Sequence, residues 1–473
     1  MQNETSARPP YPPSALRRLL MPQSVALVGA SETAVSLGGR TLANLRSFPG
    51  TLHPVNGRHA VLAGLACYPS VAQLPQTPDC VVVAVPGEAV EAVVAECAER
   101  GVGAVVIFAS GYGEIGTAEG EAAQRRLVQI ASARGMRIVG PNCVGVAHRA
   151  AGLHAAFAEF PPSPQVVGAR IGLVAQSGAL GLGLSQAGEH GTSISHVLTC
   201  GNSCDVDVAD YVAWLAEDDT CDVIALVFEG LAEPGRLTEA ARRASAAGKR
   251  IAVCKIAASD AGRAAACFHT GTASGDAAAY SALFAREGMV EVKRIESLME
   301  TAAFFAKAPV PVVGASGAAI VSGSGGTAIL AVDAAARHAV ETPQPSAATM
   351  ARLAAAIPPF GSPRNPCDAT AQATRNPESL LQCADALLAD PHYGALVIPW
   401  GRAQPASLLP GLGALSERHG KPVCLVWMSQ SLEGPAASEA ERHPKIALFR
   451  SLDACFGALA QWWGLGAAAP FKR

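Results

Sequence analysis

The amino-acid sequence predicts an α/β protein made of three consecutive doubly wound modules, each a parallel sheet with helices on both faces. The chain has 473 residues, of which 50% are hydrophobic, 16% charged and 5% aromatic, a composition typical of buried parallel strands and small-residue helices. Short apolar runs alternate with helical stretches, as in strand–helix–strand folds. An apolar strand that enters a glycine turn and then a helix occurs three times, at residues 24–31, 169–178 and 317–326.

The first module is predicted to begin after a short helix at residues 14–20. Its strands are predicted at residues 24–31, 80–86, 104–109 and 136–139, with helices at 88–100 and 119–134. The second module has predicted strands at 169–176, 195–198, 222–228 and 250–256, and the third at 317–322, 395–400 and 422–427. Proline-rich linkers at 160–168 and 307–314 place the domain boundaries, giving domains of residues 1–160, 161–308 and 309–473.

Charge and cysteine content exclude several classes of protein. The formal net charge is −3 and the basic residues are scattered, which argues against a nucleic-acid partner. The 13 cysteines include no Cys-x-x-Cys pair, which favours reduced thiols over a disulfide framework or a metal site. No apolar run approaches the ~20 residues of a membrane span, and the polar, proline-rich residues 1–13 do not resemble a signal peptide. We therefore expect a cytoplasmic protein.

A histidine stands among small and hydroxylated residues in the segment 266–276. His269 is followed by Thr270, Gly271, Thr272, Ser274 and Gly275. These neighbours leave room for a large anionic group on the imidazole and offer hydrogen bonds to it. Taken alone, the pattern is also that of a histidine on a loop facing water.

Residues 53–58 fall where a doubly wound sheet ends its second strand, and they indicate which nucleotide the first module binds. Hydride-transfer enzymes usually place a carboxylate there for the ribose hydroxyls, whereas this chain offers Asn56 and Arg58. An arginine suits a phosphorylated ribose, which NADP and coenzyme A both carry. The alternative for Arg58 is a solvated surface cation.

Three further turns follow strands of the first module, where a doubly wound sheet binds its ligand. They contain Pro86, the pair Ser110 and Gly111, and Asn142. The Asn142 side chain suits a hydrogen bond to a ligand amide, although an asparagine at this point also caps its own turn.

The order of these motifs resembles the nucleoside-diphosphate-forming (ADP-forming) acyl-CoA synthetases, relatives of the succinyl-CoA synthetase α subunit. The motifs are Val-Gly-Ala-Ser (28–31), His-Pro-Val-Asn (53–56), Cys-Tyr-Pro-Ser (67–70), Ala-Val-Pro (84–86), Ala-Ser-Gly-Tyr-Gly-Glu (109–114), Gly-Pro-Asn-Cys-Val-Gly (140–145), Gln-Ser-Gly-Ala-Leu-Gly (176–181), Gly-Asn-Ser-Cys-Asp-Val (201–206), Glu-Gly (229–230), Phe-His-Thr-Gly (268–271) and Arg-Asn-Pro-Cys-Asp (364–368). The resemblance covers residues from about 22 to 460, nearly the whole chain. It implies a Rossmann-like coenzyme A-binding domain followed by two flavodoxin-like, succinyl-CoA-synthetase-like domains.

The resemblance also implies roles for particular residues. His269 falls on the histidine that carries a phosphoryl group to ADP, with Phe268 where the family usually has serine. Glu229 matches the carboxylate that orients this histidine; the alternative is a strand-end acid facing solvent. Ser177 and Gly178 match the turn whose helix N-terminus holds the phosphate. Asp205 lies in a segment that the family uses near the same site; the alternative is that Asp205 is only a turn residue. The positions carried over for coenzyme A are Gly29, Ser31, Asn56, Arg58, Pro86, Ser110, Gly111 and Asn142.

No stretch of the chain matches the ATP-grasp domain that the family needs for ATP/ADP and Mg²⁺. We therefore expect an α subunit with a separate ATP-grasp β subunit, as a hetero-oligomer of α2β2 type. The expected reaction is acyl-CoA + ADP + phosphate ⇌ carboxylate + CoA + ATP, that of an acid–thiol ligase, with the acyl group left open. The alternatives are a non-catalytic coenzyme A-binding sensor, an acyl- or carbamoyl-transferring relative without the histidine relay and, more remotely, an NAD(P) oxidoreductase.

Overall fold

The computed structural model describes residues 8–266, 274–312, 314–315, 317–371, 376–401, 405–431, 434 and 436–465. The chain forms two compact units. The first comprises residues up to 293 except for two short segments, 163–170 and 187–193, which group with residues 294–473 in the second. Among the described residues, no helix has both the length and the apolar character needed to cross a membrane.

The first sheet consists of five parallel strands, as the alternation of apolar runs and helices predicts. Its elements are α1 (Pro13–Leu20), β1 (Ser24–Val28), α2 (Leu37–Asn44), β2 (Thr51–Val55), the hairpin strands β3 (Val61–Leu62) and β4 (Leu65–Ala66), β5 (Cys80–Val83), α3 (Gly87–Arg100), β6 (Ala104–Ile107), α4 (Ala118–Ser132) and β7 (Arg137–Val139). The strand order is β2-β1-β5-β6-β7, with β3 and β4 paired separately. Tyr68 forms a lone parallel bridge to Val55 beside β2, where a Rossmann sheet has its next strand.

The second sheet has seven strands and flavodoxin-like order. Its elements are β8 (Gly145–His148), β9 (Leu153–Ala156), β10 (Ile171–Ala175), α5 (Gly178–Ser185), β11 (Ile194–Thr199), α6 (Val208–Glu217), β12 (Val223–Phe228), α7 (Pro234–Ala246), β13 (Arg250–Lys255), α8 (Asp260–Thr270), α9 (Ala277–Arg286) and β14 (Val290–Glu291). The parallel strands run β14-β13-β12-β10-β11, and the antiparallel pair β8 and β9 extends the edge beside β11. The sequence analysis did not predict β8 and β9, because they are short and rich in Gly and Ala.

The third sheet belongs to the second compact unit and repeats the flavodoxin-like order. Its elements are α10 (Leu298–Lys307), β15 (Gly317–Ser322), α11 (Gly325–Arg337), α12 (Ala347–Ala356), β16 (Cys367–Asp368), α13 (Pro377–Ala389), β17 (Tyr393–Trp400), α14 (Leu409–His419), β18 (Val423–Trp427), α15 (Ala437–Arg442), β19 (Ile446–Phe449) and α16 (Leu452–Ala468). The order is β16-β15-β17-β18-β19. The central strands are buried along their whole length, as a parallel sheet covered on both faces requires.

A buried ionic cluster fixes the start of α6. Asp207 caps the helix by accepting from the amides of Ala209 and Asp210, and the Asp210 carboxylate accepts from the Asp207 amide in return. Arg236 on α7 pairs with both carboxylates, and Arg8 pairs with Asp210 at 3.1 Å. Because Asp210 is fully buried, its charge is tolerated only with these cations and amide donors around it.

Replacing Arg236 with methionine is expected to lower the free energy of unfolding by about 3–5 kcal/mol, because it strips the main cation from two buried carboxylates. Arg242 on the same helix pairs with Glu287 through a side chain that is 62% exposed. The matched change Arg242→Met should therefore cost less than about 1 kcal/mol. Urea denaturation followed by circular dichroism measures both, and equal small losses would contradict the role given to the cluster.

Candidate active site

A cavity of about 260 Å³ lies at the carboxyl edge of the second sheet, where α5 begins. Its lining includes the polar and small residues Asn142, Gln176, Ser177, Gly178, Ala179, Gly201, Asn202 and Glu229, and the apolar residues Leu37, Phe108, Cys143, Val144 and Phe157. The cavity thus brings together four residues singled out in the sequence: Asn142, Ser177, Gly178 and Glu229. Parallel α/β sheets bind their ligands at this edge.

The N-terminus of α5 forms one wall of the cavity. Ser177 ends the turn after β10 and caps the helix, its hydroxyl accepting from the Leu180 amide at 3.4 Å. A side chain on Gly178 is excluded, because a Cβ there would lie 2.3 Å from Cγ2 of Val144. Ser177, Gly178 and Ala179 all line the cavity, so the N–H groups of the first turn and the helix dipole favour an anion there.

Gln176 holds the turn that carries Glu229. Its side-chain oxygen accepts from the backbone amides of Glu229 and Gly230, at 2.8 and 3.2 Å. Glu229 directly follows β12, is only 6% exposed and lines the cavity. The sequence analysis missed this role of Gln176, although the residue opens the motif 176–181.

A lysine lies close behind Glu229. Lys255 ends the neighbouring strand β13, is buried, and donates to the carbonyl of Ile256 at 2.6 Å. Burial lowers the pKa of the Lys255 ammonium, and the negative charge of Glu229 acts in the opposite direction. An ammonium group therefore lies near the Glu229 carboxylate, although Lys255 itself does not line the cavity.

Asn142 connects the cavity to the first sheet. It has a left-handed backbone (φ 57°), and its amide donates to Ala109 at 2.8 Å. Its side chain donates to Asn202, which in turn donates to Glu114. The Glu114 carboxylate also accepts from the Gly111 amide, so one polar chain links the cavity to the turn after β6. Asn202 and Glu114 were quoted within motifs in the sequence analysis but given no role there.

Two aromatic rings are among the apolar residues that line the cavity. Phe108 and Phe157 meet edge to face with ring centroids 5.0 Å apart. Cys143 lies beside them, and burial raises the pKa of its thiol to about 12, so it stays protonated at neutral pH and is not a nucleophile. Among the described residues that line the cavity, none is a lysine, an arginine or a histidine.

The other predicted ligand residues lie at the carboxyl edge of the first sheet and do not line this cavity. These are Gly29, Ser31, Asn56, Arg58, Pro86, Ser110 and Gly111. Gly29 has φ 86°, and a Cβ on it would lie 2.4 Å from the carbonyl oxygen of Ala84, so only glycine fits this turn. The side chains of Arg58, Pro86 and Ser110 are exposed at the same edge.

Asn56 and Asp205 make contacts within the protein. The Asn56 side chain donates to the Ala30 carbonyl and accepts from the Arg58 amide, both at 2.9 Å, and so joins the turns that follow β1 and β2. Asp205 pairs with Arg137 at 3.1 Å and accepts from the Tyr11 hydroxyl, and it does not line the cavity. Asp205 is thus a residue that ties loops together, which was the second of its two expected roles.

His269 falls among residues 267–273, outside the described part of the chain. The helix that contains it by sequence, α8, packs against the short 3-10 turn Gly113–Ile115. That turn includes Glu114, whose carboxylate belongs to the polar chain leading to the cavity.

Comparisons with known proteins agree with this arrangement. A family model described as a CoA binding domain matches residues 23–149, and one described as a succinyl-CoA ligase-like flavodoxin domain matches residues 168–305. The solved structure of the dinucleotide forming acetyl-coenzyme A synthetase 1 of Ca. Korarchaeum cryptofilum, in complex with phosphate and ADP, superposes with a TM-score of 0.84. The two chains are 28% identical, over 96% of this chain and 97% of that chain.

Curated relatives extend the comparison to sequence. The chain is 36% identical over 384 residues to trans-feruloyl-CoA synthase FCS1 of an unknown prokaryotic organism, covering 80% of this chain and 54% of that protein. It spans about half the length of this and of another relative in the same comparison. It is 31% identical over 431 residues to the α subunit of ADP-forming acetate–CoA ligase II of Pyrococcus furiosus, covering 89% of this chain and 92% of that subunit. On this similarity, with both domain types in the same order, the chain belongs to the ADP-forming acyl-CoA synthetase family.

Proposed function

We propose that this chain is the α-type part of an ADP-forming acyl-CoA synthetase, catalysing acyl-CoA + ADP + phosphate ⇌ carboxylate + CoA + ATP. The observation that carries the proposal is one cavity lined by the N-terminus of α5, the Glu229 carboxylate and several apolar side chains. Such a cavity offers apolar contacts to an acyl group and a helix N-terminus to a phosphoryl group. A non-catalytic sensor would need neither the carboxylate nor the helix N-terminus.

The chemistry runs in three steps. Phosphate displaces CoA from the acyl carbon and gives an acyl phosphate; the phosphoryl group moves to a nitrogen of His269 and releases the carboxylate; ADP then takes the phosphoryl group and forms ATP. An imidazole nitrogen is a competent nucleophile when neutral. A carboxylate that accepts the proton of one ring nitrogen leaves the other free to attack, and this is the role proposed for Glu229. The helix end at Ser177 and Gly178 stabilises the transferred phosphate.

Coenzyme A is proposed to bind along the carboxyl edge of the first sheet. Gly29 lets the turn after β1 pack against the Ala84 carbonyl, and Ser31 follows it, half-buried, at the edge proposed for the ligand. Asn56 fixes the loop that presents Arg58, whose exposed guanidinium suits the ribose phosphate. Pro86, Ser110 and Gly111 extend the same edge, and the polar chain through Glu114 and Asn142 leads from there to the cavity.

A second chain is proposed to supply nucleotide binding. The Pyrococcus furiosus relative is named as an α subunit, and this chain covers 92% of it. We infer a partner with an ATP-grasp domain that binds ATP/ADP and Mg²⁺, in an α2β2 assembly. The twelve free cysteines of the described residues, eleven of them buried, suit a reducing compartment such as the cytoplasm.

The cavity also supports a substrate class. Its volume of about 260 Å³ exceeds the ~150 Å³ of an apolar cavity that binds benzene, and it is below the range of drug-sized sites. With two phenylalanine rings and no cationic side chain in the described lining, it suits a monocarboxylic acid with a compact apolar or aromatic group. A second carboxylate would be left without a partner.

With an ATP-grasp partner, ATP and Mg²⁺, the chain is expected to acquire one acid-labile, base-stable phosphate on His269. His269→Ala should abolish labelling and turnover but leave coenzyme A binding intact, because the two sites lie at different sheets. Glu229→Gln should lower the rate by about 10²–10³, the usual cost of losing an electrostatic contact of this kind. Intact-mass measurement and phosphopeptide mapping at alkaline pH, beside the acyl-CoA assay, test both changes. A fully active His269→Ala enzyme would overturn the relay.

Arg58→Glu is expected to weaken coenzyme A binding at least tenfold more than dephospho-coenzyme A binding, because the lost contact is to the ribose phosphate. Isothermal titration calorimetry measures both ligands. Arg46→Glu is the matched control, since Arg46 is an exposed arginine near the other end of β2. If both ligands weaken equally in Arg58→Glu, Arg58 does not hold that phosphate.

A panel of acids should show benzoate- and branched-acid-sized substrates preferred over succinate by at least 100-fold in kcat/KM. Phe157→Ala should shift the preference toward bulkier acids, because it removes one ring from the apolar lining. Phe160→Ala is the control, since Phe160 stacks on His154 and does not line the cavity. An unchanged order of substrates in Phe157→Ala would contradict the proposed acyl site.

A further inference from the structure

Three chemically active side chains meet inside the first unit, away from the candidate active site. They are His148, at the end of β8, His196, directly opposite it on β11, and Asp218, just after α6. His148 and His196 are 1% and 0% exposed, and the Asp218 side chain is 7% exposed. Oδ2 of Asp218 lies 3.4 Å from Nε2 of His196 and 3.8 Å from Nε2 of His148.

Hydrogen bonds fix the tautomer of His148. Its Nδ1 lies 3.0 Å from the carbonyl oxygen of Leu20, which can only accept, so Nδ1 carries the proton. Nε2 of the neutral ring is then a lone pair directed toward Asp218. The Thr220 hydroxyl lies 3.2 Å from this Nε2 but is 2.6 Å from the Asp218 carboxylate, to which it donates.

His196 is held by a hydroxyl instead of a carbonyl. Its Nδ1 lies 2.9 Å from the Ser195 hydroxyl, which also lies 3.2 Å from the Ile171 carbonyl. When the hydroxyl donates to that carbonyl, Nδ1 of His196 is the donor and Nε2 carries the lone pair. This Nε2 is fully buried and has no hydrogen-bond partner within the described residues.

Asp218 is oriented by a hydrogen-bonded turn. Its Oδ1 accepts from both the amide and the hydroxyl of Thr220, at 2.6 Å each, which leaves Oδ2 facing the imidazoles. No lysine or arginine of the described chain pairs with this carboxylate: nearby Lys249 donates instead to the main-chain carbonyls of Leu215 and Asp218. Two imidazole nitrogens and one carboxylate oxygen thus converge in the buried interior, where a cation between them would be attracted by all three.

We propose that His148, His196 and Asp218 bind a divalent transition-metal ion of the zinc class. Two imidazole nitrogens and one carboxylate oxygen are a donor set that zinc accepts. Each ligand has the outer hydrogen bond that metal ligands characteristically make, to Leu20, Ser195 and Thr220 respectively.

The spacing agrees with a shared ion. Zinc–ligand bonds of 2.0–2.1 Å in a tetrahedral arrangement place ligand atoms about 3.3 Å apart, against the observed 3.4 and 3.8 Å from Asp218. The two imidazole rings are stacked with centroids 4.0 Å apart and planes inclined at 27°, so binding requires the rings to tilt until both in-plane lone pairs point at the ion.

The ion would be structural. His196 lies near the start of β11, whereas Gly201 beyond the end of the strand lines the active-site cavity, about 16 Å away along an extended chain. Bound at the cluster, the ion would join β8 to β11 and to the end of α6, and through Leu20 to α1. Because such a site exists only in the folded chain, binding adds to the stability of the fold.

The test is metal content of the purified full-length chain, dialysed against Zn²⁺ and then against metal-free buffer. We expect close to one zinc per chain by mass spectrometry and a melting temperature several degrees higher than after chelation. Substitution with Co²⁺ should give visible d–d bands without thiolate charge-transfer absorption, which separates this cluster from binding at cysteines. None of these readouts depends on the proposed enzymatic activity.

Variants assign the metal to the cluster. His148→Gln and Asp218→Asn should each weaken Zn²⁺ binding at least tenfold and abolish the rise in melting temperature. His154→Gln on the neighbouring strand β9, which lies outside the cluster, should retain both. Fewer than 0.1 zinc per wild-type chain with no thermal shift would overturn the proposal. Equal zinc content in all three variants would also overturn it, because the metal would then be bound elsewhere.

Discussion

The candidate active site depends on the hydrogen bonds of Gln176. Its side-chain oxygen accepts from the backbone amides of Glu229 and Gly230 after β12. Its backbone amide donates to the Val227 carbonyl, and its backbone carbonyl accepts from the Gly201 amide after β11. One buried residue at the end of β10 therefore sets the positions of three neighbouring strand ends. A glutamine suits this task because its amide side chain accepts hydrogen bonds without bringing a charge into the interior.

The segment 201–207 is held in a similar way and connects the two sheets of the first unit. The Gly201 amide donates to the Gln176 carbonyl at the end of β10. The Asp205 carboxylate accepts from the Arg137 side chain and from the Ile138 amide of β7, and the Asp207 carboxylate pairs with Arg236. Asn202 lies between these anchors and reaches Asn142 from the fixed segment. The polar chain from the cavity to the first sheet thus rests on a short loop fixed at both ends, so its geometry is set before any ligand arrives.

The fold was predictable from sequence because parallel strands buried on both faces leave a strong apolar signal, and all three strand–turn–helix openings are confirmed. Strands β8 and β9 were missed because four-residue runs of small residues carry no such signal. Ser177, Gly178 and Glu229 were singled out through motifs, and the structure places all three at one cavity. The contacts of Gln176, Asn202 and Glu114 were not predicted, because each depends on a partner distant in sequence. The cluster of His148, His196 and Asp218 has no spacing pattern, since the pairing of β8 with β11 and the end of α6 bring it together.

The absence of space for a side chain at Gly178 has a consequence for how the cavity responds to acidity. The group that would receive an anion there is a row of peptide dipoles, which neither gain nor lose a proton across the physiological range. A lysine or histidine in that place would make anion affinity fall as the medium became alkaline. Here the attraction of the helix end for an anion is the same across that range.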